Sequence, residues 1–320
     1  MQLGFVTAIL NDLSFEEVLR FASDEGFDCV EVMCWPVGKA ERKYAGVTHV
    51  DVTNFTAAAA DDVLALCDKH RVAISALGYY PNILSANGEE SQLAIEHLRK
   101  VIVAAQLLAR GNSPWMRTFA GKTGGPQGPN VNTFIGADHH QPLEHNLRRF
   151  AEVWPAIIQH AEEQGVYVGI ENCPMLFTGD EWPSGKNLAY SPAIWRRMYE
   201  VIPSAQFGLN YDPSHLVWMM MDYLQPIREF ASRLFHVHAK DMKIERDKLN
   251  QRGILALGWS TPKIPGLGDV DWPRFVSALT DAGYDGPVCI EVEDDAFRRH
   301  LEDRQRSLRI ARDVLRPMVQ

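Results

Sequence analysis

Short apolar runs alternate along the chain with longer amphipathic stretches. The runs predict β-strands over 3–8, 28–33, 72–77, 131–135, 166–171, 206–211, 234–239 and 287–292. Between them, apolar residues recur at helical spacing and predict helices near 15–25, 56–70, 89–109, 142–164, 191–201, 222–232, 272–283 and 297–315. The first helix shows how the pattern works. Ser14 followed by Glu17 is a capping-box signature, Phe15, Val18, Leu19 and Ala22 form one apolar face, and Gly26 supplies a left-handed stop. Eight strands with crossover helices, and no compositional break to mark a linker, predict an α/β fold: a single closed (β/α)8 barrel spanning 1–320.

The fourth unit is ambiguous. A Gly/Pro-rich stretch near 121–130 separates two similar pieces, Thr118-Phe119-Ala120-Gly121 and Thr133-Phe134-Ile135-Gly136, and either could supply the strand. The Gly121-Lys122-Thr123 within it lacks the earlier glycine of a phosphate loop, since Met116 stands there, and reads as an ordinary loop.

Composition narrows the function classes. With 46% apolar side chains the chain can bury a large core, and a net charge of -9 disfavours a general nucleic-acid binder. The five cysteines are scattered and include no Cys-x-x-Cys pair, so no disulfide framework or zinc ribbon is expected. The N-terminal residues show no basic leader, and no apolar run approaches the ~18 residues of a membrane span, so a cytoplasmic protein is expected.

Polar residues at the C-terminal ends of the strands carry the chemistry in a barrel of this kind. Glu171 ends strand five within Gly169-Ile170-Glu171-Asn172-Cys173-Pro174, where a buried carboxylate needs a cation or donors to compensate it. Asp212 ends strand six, His238 strand seven and Glu291 strand eight. Taken singly, a carboxylate at a strand end is more often a helix N-cap, a salt-bridge partner or solvent-facing than a metal ligand. Together they would repel one another unless a divalent cation neutralised them, and this oxygen-rich set with one nitrogen suits Mn2+ or Mg2+, with Co2+ or Zn2+ as alternatives. His236 and His238 share a strand face; His238, nearer the C-terminal end, is the favoured ligand and His236 a deeper hydrogen-bonded residue.

These segments resemble the sugar phosphate isomerase/epimerase group of the xylose-isomerase-like TIM barrel superfamily. The likeness is carried in order by Ile170-Glu171-Asn172, Asp212-Pro213-Ser214-His215, His238-Ala239-Lys240-Asp241, the 265–272 stretch Pro-Gly-Leu-Gly-Asp-Val-Asp-Trp, and Ile290-Glu291-Val292-Glu293-Asp294. The resemblance implies a metal site at Glu171, Asp212, His238 and Glu291, with Mn2+ the favoured ion. It further implies that Glu171 and Glu291 remove and return a proton next to a carbonyl, the metal stabilising the enediolate between those steps. His215 matches a histidine that contacts substrate oxygens. The chain also departs from the pattern: Phe177 and Ile244 stand where ketose 3-epimerases carry a substrate-holding glutamate and arginine.

Other candidates for lining the pocket are Trp35, Tyr79, Tyr80, Trp182, Lys186, Lys240 and Trp259, aromatic faces being suited to stacking on sugars. Lys240 can pair with Asp241 or with a substrate oxygen. His139 and His140 read as a solvated loop, and Gly266-Leu267-Gly268 as a close-approach loop at the rim. The expected function is therefore a metal-dependent isomerase or epimerase of a keto sugar or related polyol. A lyase resembling inosose dehydratases or keto-glycoside-cleaving relatives is the alternative. An endonuclease IV-type repair enzyme lacks its Asp-x-His element here, and a sugar-binding barrel without turnover is the remaining reading. The partner expected is a small-molecule sugar or polyol, with no nucleic acid or membrane; similar proteins form homo-oligomers.

Overall fold

The computed structural model describes residues 1–38, 46–116, 128–175, 186–254 and 256–319. In chain order the elements are β1 Gln2–Val6, α1 Phe15–Asp24, β2 Cys29–Met33, α2 Ala57–His70, β3 Ala73–Gly78, α3 Gly88–Ala109, β4 Asn130–Thr133, α4 Leu143–Glu163, β5 Tyr167–Glu171, α5 Pro192–Val201, β6 Phe207–Tyr211, α6 Pro213–Trp218, α7 Gln225–Glu229, β7 Leu234–Ala239, β8 Asp241–Ile244, α8 Arg246–Arg252, β9 Ser260–Lys263, α9 Trp272–Asp281, β10 Pro287–Ile290 and α10 Leu301–Leu315. Eight of the strands close a parallel barrel in the order β1-β10-β7-β6-β5-β4-β3-β2, as the alternation of patterns predicts. Strands β8 and β9 form a separate antiparallel hairpin between β7 and α9.

The local signals act as the residue chemistry requires. Ser14 accepts from the Glu17 amide while the Glu17 carboxylate accepts from the Ser14 amide at 2.8 Å, so α1 starts with a reciprocal cap. Outward-facing Leu3, Phe5, Val30, Val32, Val168 and Ile170 pack into one core with the inner faces of the helices. Inward-facing positions converge on the barrel axis, where the polar residues described below sit.

The fourth strand is Asn130–Thr133, which ends on the first residue of the second piece. Met116 makes a parallel bridge to Ile74 at the start of β3, and Val131 resumes the pairing opposite Leu77. The piece from Thr118 to Gly121, and the loop as far as Gln127, lie outside the described residues. Strand β1 ends at Val6 rather than at 8, because residues Thr7–Leu10 turn into a single 3-10 turn. The helix expected over 222–232 shrinks to Gln225–Glu229, and the hairpin with α8 fills a stretch in which no element was expected. No helix among the described residues is long and apolar enough to cross a membrane.

Candidate functional site

Strand termination places the first two site residues. Pro213 removes a ladder donor directly after β6, and the chain turns at once into α6. Asp212 is the N-cap of that helix: its Oδ1 accepts from the Ser214 amide at 2.8 Å, which leaves Oδ2 facing the barrel axis. Asn172 clamps the same corner, donating to the Asp212 carbonyl at 2.9 Å and accepting from the Asp212 amide at 2.7 Å. Asn187 does the same for β5, donating to the Glu171 carbonyl at 3.0 Å and to the Cys173 carbonyl at 2.7 Å.

Glu171, Asp212, His238 and Glu291 offer ligand atoms that all lie within 4.8 Å of one another. His238 Nδ1 is 3.3 Å from Glu171 Oε1 and 3.5 Å from Glu291 Oε2. His215, one helical turn after Asp212, brings Nε2 to 3.4 Å from Glu171 Oε1 and 3.3 Å from Asp212 Oδ2. Lys240 is buried beside them, with Nζ 2.6 Å from Glu291 Oε2 and 3.2 Å from both Asp212 Oδ2 and Glu293 Oε2. One ammonium thus faces three carboxylates.

The electrostatics record that imbalance. Burial opposes charge on Glu171, yet His238, His215 and Lys240 hold its carboxyl well below the usual carboxylate range. Burial likewise works against Glu291, but Lys240 chiefly brings it down to about 2. Against its own burial, His238 is held well above the usual histidine value by Glu31 and Glu171, and Lys240 is raised by Glu291, Glu293 and Asp212. Two buried atoms here, Asp212 Oδ2 and His215 Nε2, make no hydrogen bond among the described residues. Excess negative charge, oxygen-rich donors and an orphaned carboxylate oxygen fit a divalent cation.

Asp241 and Lys240 part company. The Asp241 carboxylate turns away from Lys240 and accepts from the amides of Met242 (2.9 Å), Val270 (3.0 Å) and Gly266 (3.0 Å) and from Trp272 Nε1 (2.9 Å). The 265–272 loop therefore wraps a carboxylate, and a Cβ on Gly268 would come within 2.2 Å of Asp241 Oδ1. Within that loop Asp269 accepts from the Ile244 amide at 2.8 Å and Asp271 caps α9. Both acids are thereby committed to holding backbone.

The remaining candidates are dispersed. Trp35 meets Tyr79 edge-on at 4.9 Å, and Tyr79 meets His97 at 4.6 Å, so the buried Tyr79 ring is enclosed by packing. Trp259 is 4% exposed and stacks on Trp218 at 5.9 Å, which leaves little of its face open. His139 and His140 sit side by side on a partly exposed loop. Lys186 follows the described gap and its amide meets the Met175 carbonyl at 3.3 Å; Trp182 and Phe177 lie outside the described residues. Sequence reasoning missed Glu31, a wholly buried carboxylate whose Oε2 stands 2.7 Å from His238 Nε2. Its signal was a lone charge in the apolar strand Cys29-Val30-Glu31-Val32-Met33.

A family model described as xylose isomerase-like TIM barrel matches residues 19–318. The chain belongs to that family. Protein YfiH of Bacillus subtilis strain 168, described as uncharacterized, is 26% identical over 311 residues, covering 92% of this chain and 93% of that one. The inosose dehydratase of Geobacillus thermodenitrificans is 32% identical over 117 residues, 35% of this chain, and the match spans only 38% of that enzyme. Among solved structures, the IOLI protein with a bound zinc atom superposes with a TM-score of 0.70 at 15% identity, covering 100% of this chain and 98% of that one. D-psicose 3-epimerase from Clostridium cellulolyticum H10, solved with D-tagatose, gives 0.65 at 14% identity with 100% of both chains covered. At these identities the structural likenesses establish a shared fold.

Proposed function

We propose that the chain is a divalent-metal-dependent isomerase or epimerase of a keto sugar or related polyol, acting by proton abstraction next to a carbonyl. The observation that carries this reading is the convergence of Glu171, Asp212, His238 and Glu291, with one Asp212 oxygen left without a hydrogen bond among the described residues. Those four residues would hold the ion, Mn2+ being favoured and Mg2+, Co2+ or Zn2+ the alternatives; the zinc in the IOLI structure supports a divalent ion at such a barrel. When bound, the ion supplies Lewis-acid polarisation of a substrate carbonyl.

The protein's own groups do the rest. Glu171 and Glu291 stand on β5 and just past β10, at the two ends of the arc β10-β7-β6-β5, so a substrate carbon between them can lose a proton to one and regain it from the other. Either, held ionised by neighbouring cations, can accept the first proton; the other must take up a proton from solvent before it can return one to the opposite face of the carbon. His215 and Lys240 would hold substrate oxygens at that mouth, and Trp35 and Trp182 are the aromatic candidates for the pocket wall, Tyr79 and Trp259 being packed against their neighbours. The working compartment in this reading is the cytoplasm and the partner a sugar or polyol, with homo-oligomerisation an open expectation.

A lyase outcome from the same first step has its own support. The matched stretch of inosose dehydratase is one argument, and Ile244 at the position of the epimerase arginine is another. The experiment incubates metal-loaded protein in deuterated water with keto sugars, inososes and 3-keto glycosides, then analyses products by mass spectrometry and NMR. An isomerase conserves the substrate skeleton and introduces deuterium at the reacting carbon. Release of water or of an aglycone would establish the lyase instead, and no turnover across the panel with metal present would reject both.

A further inference from the structure

Directly beneath the four converging residues the barrel interior is polar, where barrels of this type ordinarily carry branched apolar side chains. Glu31 lies at its centre with no solvent exposure. Its Oε1 accepts from the Tyr80 hydroxyl, and its Oε2 accepts from Asn132 Nδ2 at 3.0 Å and faces His238 Nε2 at 2.7 Å. Asn130 donates to Asn132 Oδ1 at 2.7 Å, which turns the Asn132 amide so that its nitrogen points at Glu31. Gly78 on the neighbouring strand makes the room: a Cβ there would come within 2.6 Å of Glu31 Oε1. A carboxylate needing this much accommodation is built in, not incidental.

The directions of these hydrogen bonds follow from donor and acceptor inventory. His236 Nδ1 lies 3.0 Å from Asn210 Oδ1 and donates to it, leaving His236 Nε2 to accept from Ser75 Oγ at 3.1 Å. Asn210 Nδ2 is then a donor, lying 3.0 Å from His238 Nε2 and 3.2 Å from the Tyr80 hydroxyl. That histidine nitrogen makes its shorter contact, 2.7 Å, with the Glu31 carboxylate, so the amide donates to the hydroxyl, which passes its own hydrogen to Glu31. An ionised carboxylate only accepts, so the nitrogen of His238 that meets Glu31 carries a hydrogen. That leaves Nδ1 as the nitrogen facing Glu171 and Glu291.

We propose that Glu31 is a positioning residue for the metal centre: it holds a proton on His238 Nε2, and thereby presents Nδ1 as the ligand atom toward Glu171, Asp212 and Glu291. The inference rests on the reading of those four residues as metal ligands. Carboxylates that orient ligating histidines in this way commonly govern metal affinity. Glu31, His236 and His238 also cluster closely enough to suggest a second ion. Their oxygen and nitrogen atoms are already engaged by Tyr80, Asn132, Asn210 and Ser75, so this group reads as support for the upper site.

The test uses the full chain with Glu31→Gln and Glu31→Asp, and Zn2+ as the probe because it is diamagnetic. Affinity is measured by competition with a chromophoric chelator, and the His238 ring is read by long-range 1H–15N correlation in the zinc-loaded protein. In the unsubstituted protein the expected pattern is a proton on Nε2 and a zinc-shifted Nδ1. Glu31→Gln is expected to weaken zinc binding about 10–100-fold, because one amide oxygen cannot serve Tyr80, Asn132 and His238 together, and Glu31→Asp to recover part of the loss. Unchanged affinity and an unchanged ring pattern in Glu31→Gln would overturn the proposal. If Glu31→Gln does not fold by circular dichroism, Glu31→Asp and Asn132→Ala carry the test, and unaltered zinc affinity in both overturns it equally. Zinc absent from His238 in the unsubstituted protein would instead bring down the four-ligand reading, and this proposal with it.

Discussion

Asp212 and Asp241 are both wholly buried carboxylates at the ends of neighbouring segments, and they have opposite fates. Asp241 is saturated: three backbone amides and the Trp272 indole donate to it. Asp212 spends one oxygen on capping α6 and leaves the other without a hydrogen bond, facing Lys240 and His215. A saturated acid fixes backbone, whereas an unsaturated one among like charges is held ready for something else. Counting lone pairs therefore separates a loop-building aspartate from a ligand-binding one more sharply than burial or charge does.

The largest effect that sharpens this contrast lies with the two glutamates. Glu171→Gln and Glu291→Gln should each lower kcat about 10²–10⁴-fold once a substrate is in hand, the usual worth of a general acid or base. Steady-state kinetics at saturating metal measures it, and a variant within about threefold of the unsubstituted rate would remove that residue from the proton-transfer pair.

Next in size is the structural acid. Asp241→Asn should destabilise the chain by about 2–4 kcal/mol, because an amide nitrogen would be turned toward donors that need an acceptor. Urea denaturation reads the loss, while metal affinity in the folded fraction should change little. Asp212→Asn is the mirror image: metal affinity should fall about 10–100-fold or more with a stability change below about 1 kcal/mol. If the two variants gave the same pattern, the distinction between the two acids would be wrong. Gly268→Ala probes the Asp241 pivot alone and should cost about 1–3 kcal/mol, since the new methyl meets the carboxylate.

The smallest effect is a pH dependence. Despite its burial, His238 is held above the ordinary histidine value by Glu31 and Glu171. Its contribution to folding stability in the absence of metal is therefore complete below the unfolded value of about 6.5 and is lost as pH rises through the raised one. A metal ion must displace the proton on the ligating nitrogen, so metal binding should release protons and weaken as pH falls. Calorimetry in buffers of different ionisation enthalpy tests this, and binding heats independent of the buffer would contradict it.

Much of this architecture was readable before any coordinates. The eight barrel strands announce themselves because each is a short apolar run closed by Gly, Pro or a polar residue, and the four strand-end ligand candidates stand where those runs stop. The hairpin β8–β9 escaped because Asp241-Met242-Lys243-Ile244 follows β7 with no glycine or proline between them, and its pairing with Ser260–Lys263 is a long-range choice. Glu31 escaped because one carboxylate in an apolar strand has no local partner in sequence; its donors Tyr80 and Asn132 and its neighbour His238 arrive from three other strands or strand ends. The three-way ion pairing of Lys240 is invisible for the same reason, since Asp212, Glu291 and Glu293 reach it only through barrel closure.

The most direct test of the central claim is a titration of chelator-stripped protein with Mn2+ and Co2+, comparing the unsubstituted chain with Asp212→Asn. The account predicts one ion bound per chain, turnover of a keto sugar, inosose or 3-keto glycoside that appears with that ion, and loss of both in Asp212→Asn. Saturating activity after exhaustive removal of metal, or equal binding by the two proteins, would contradict it.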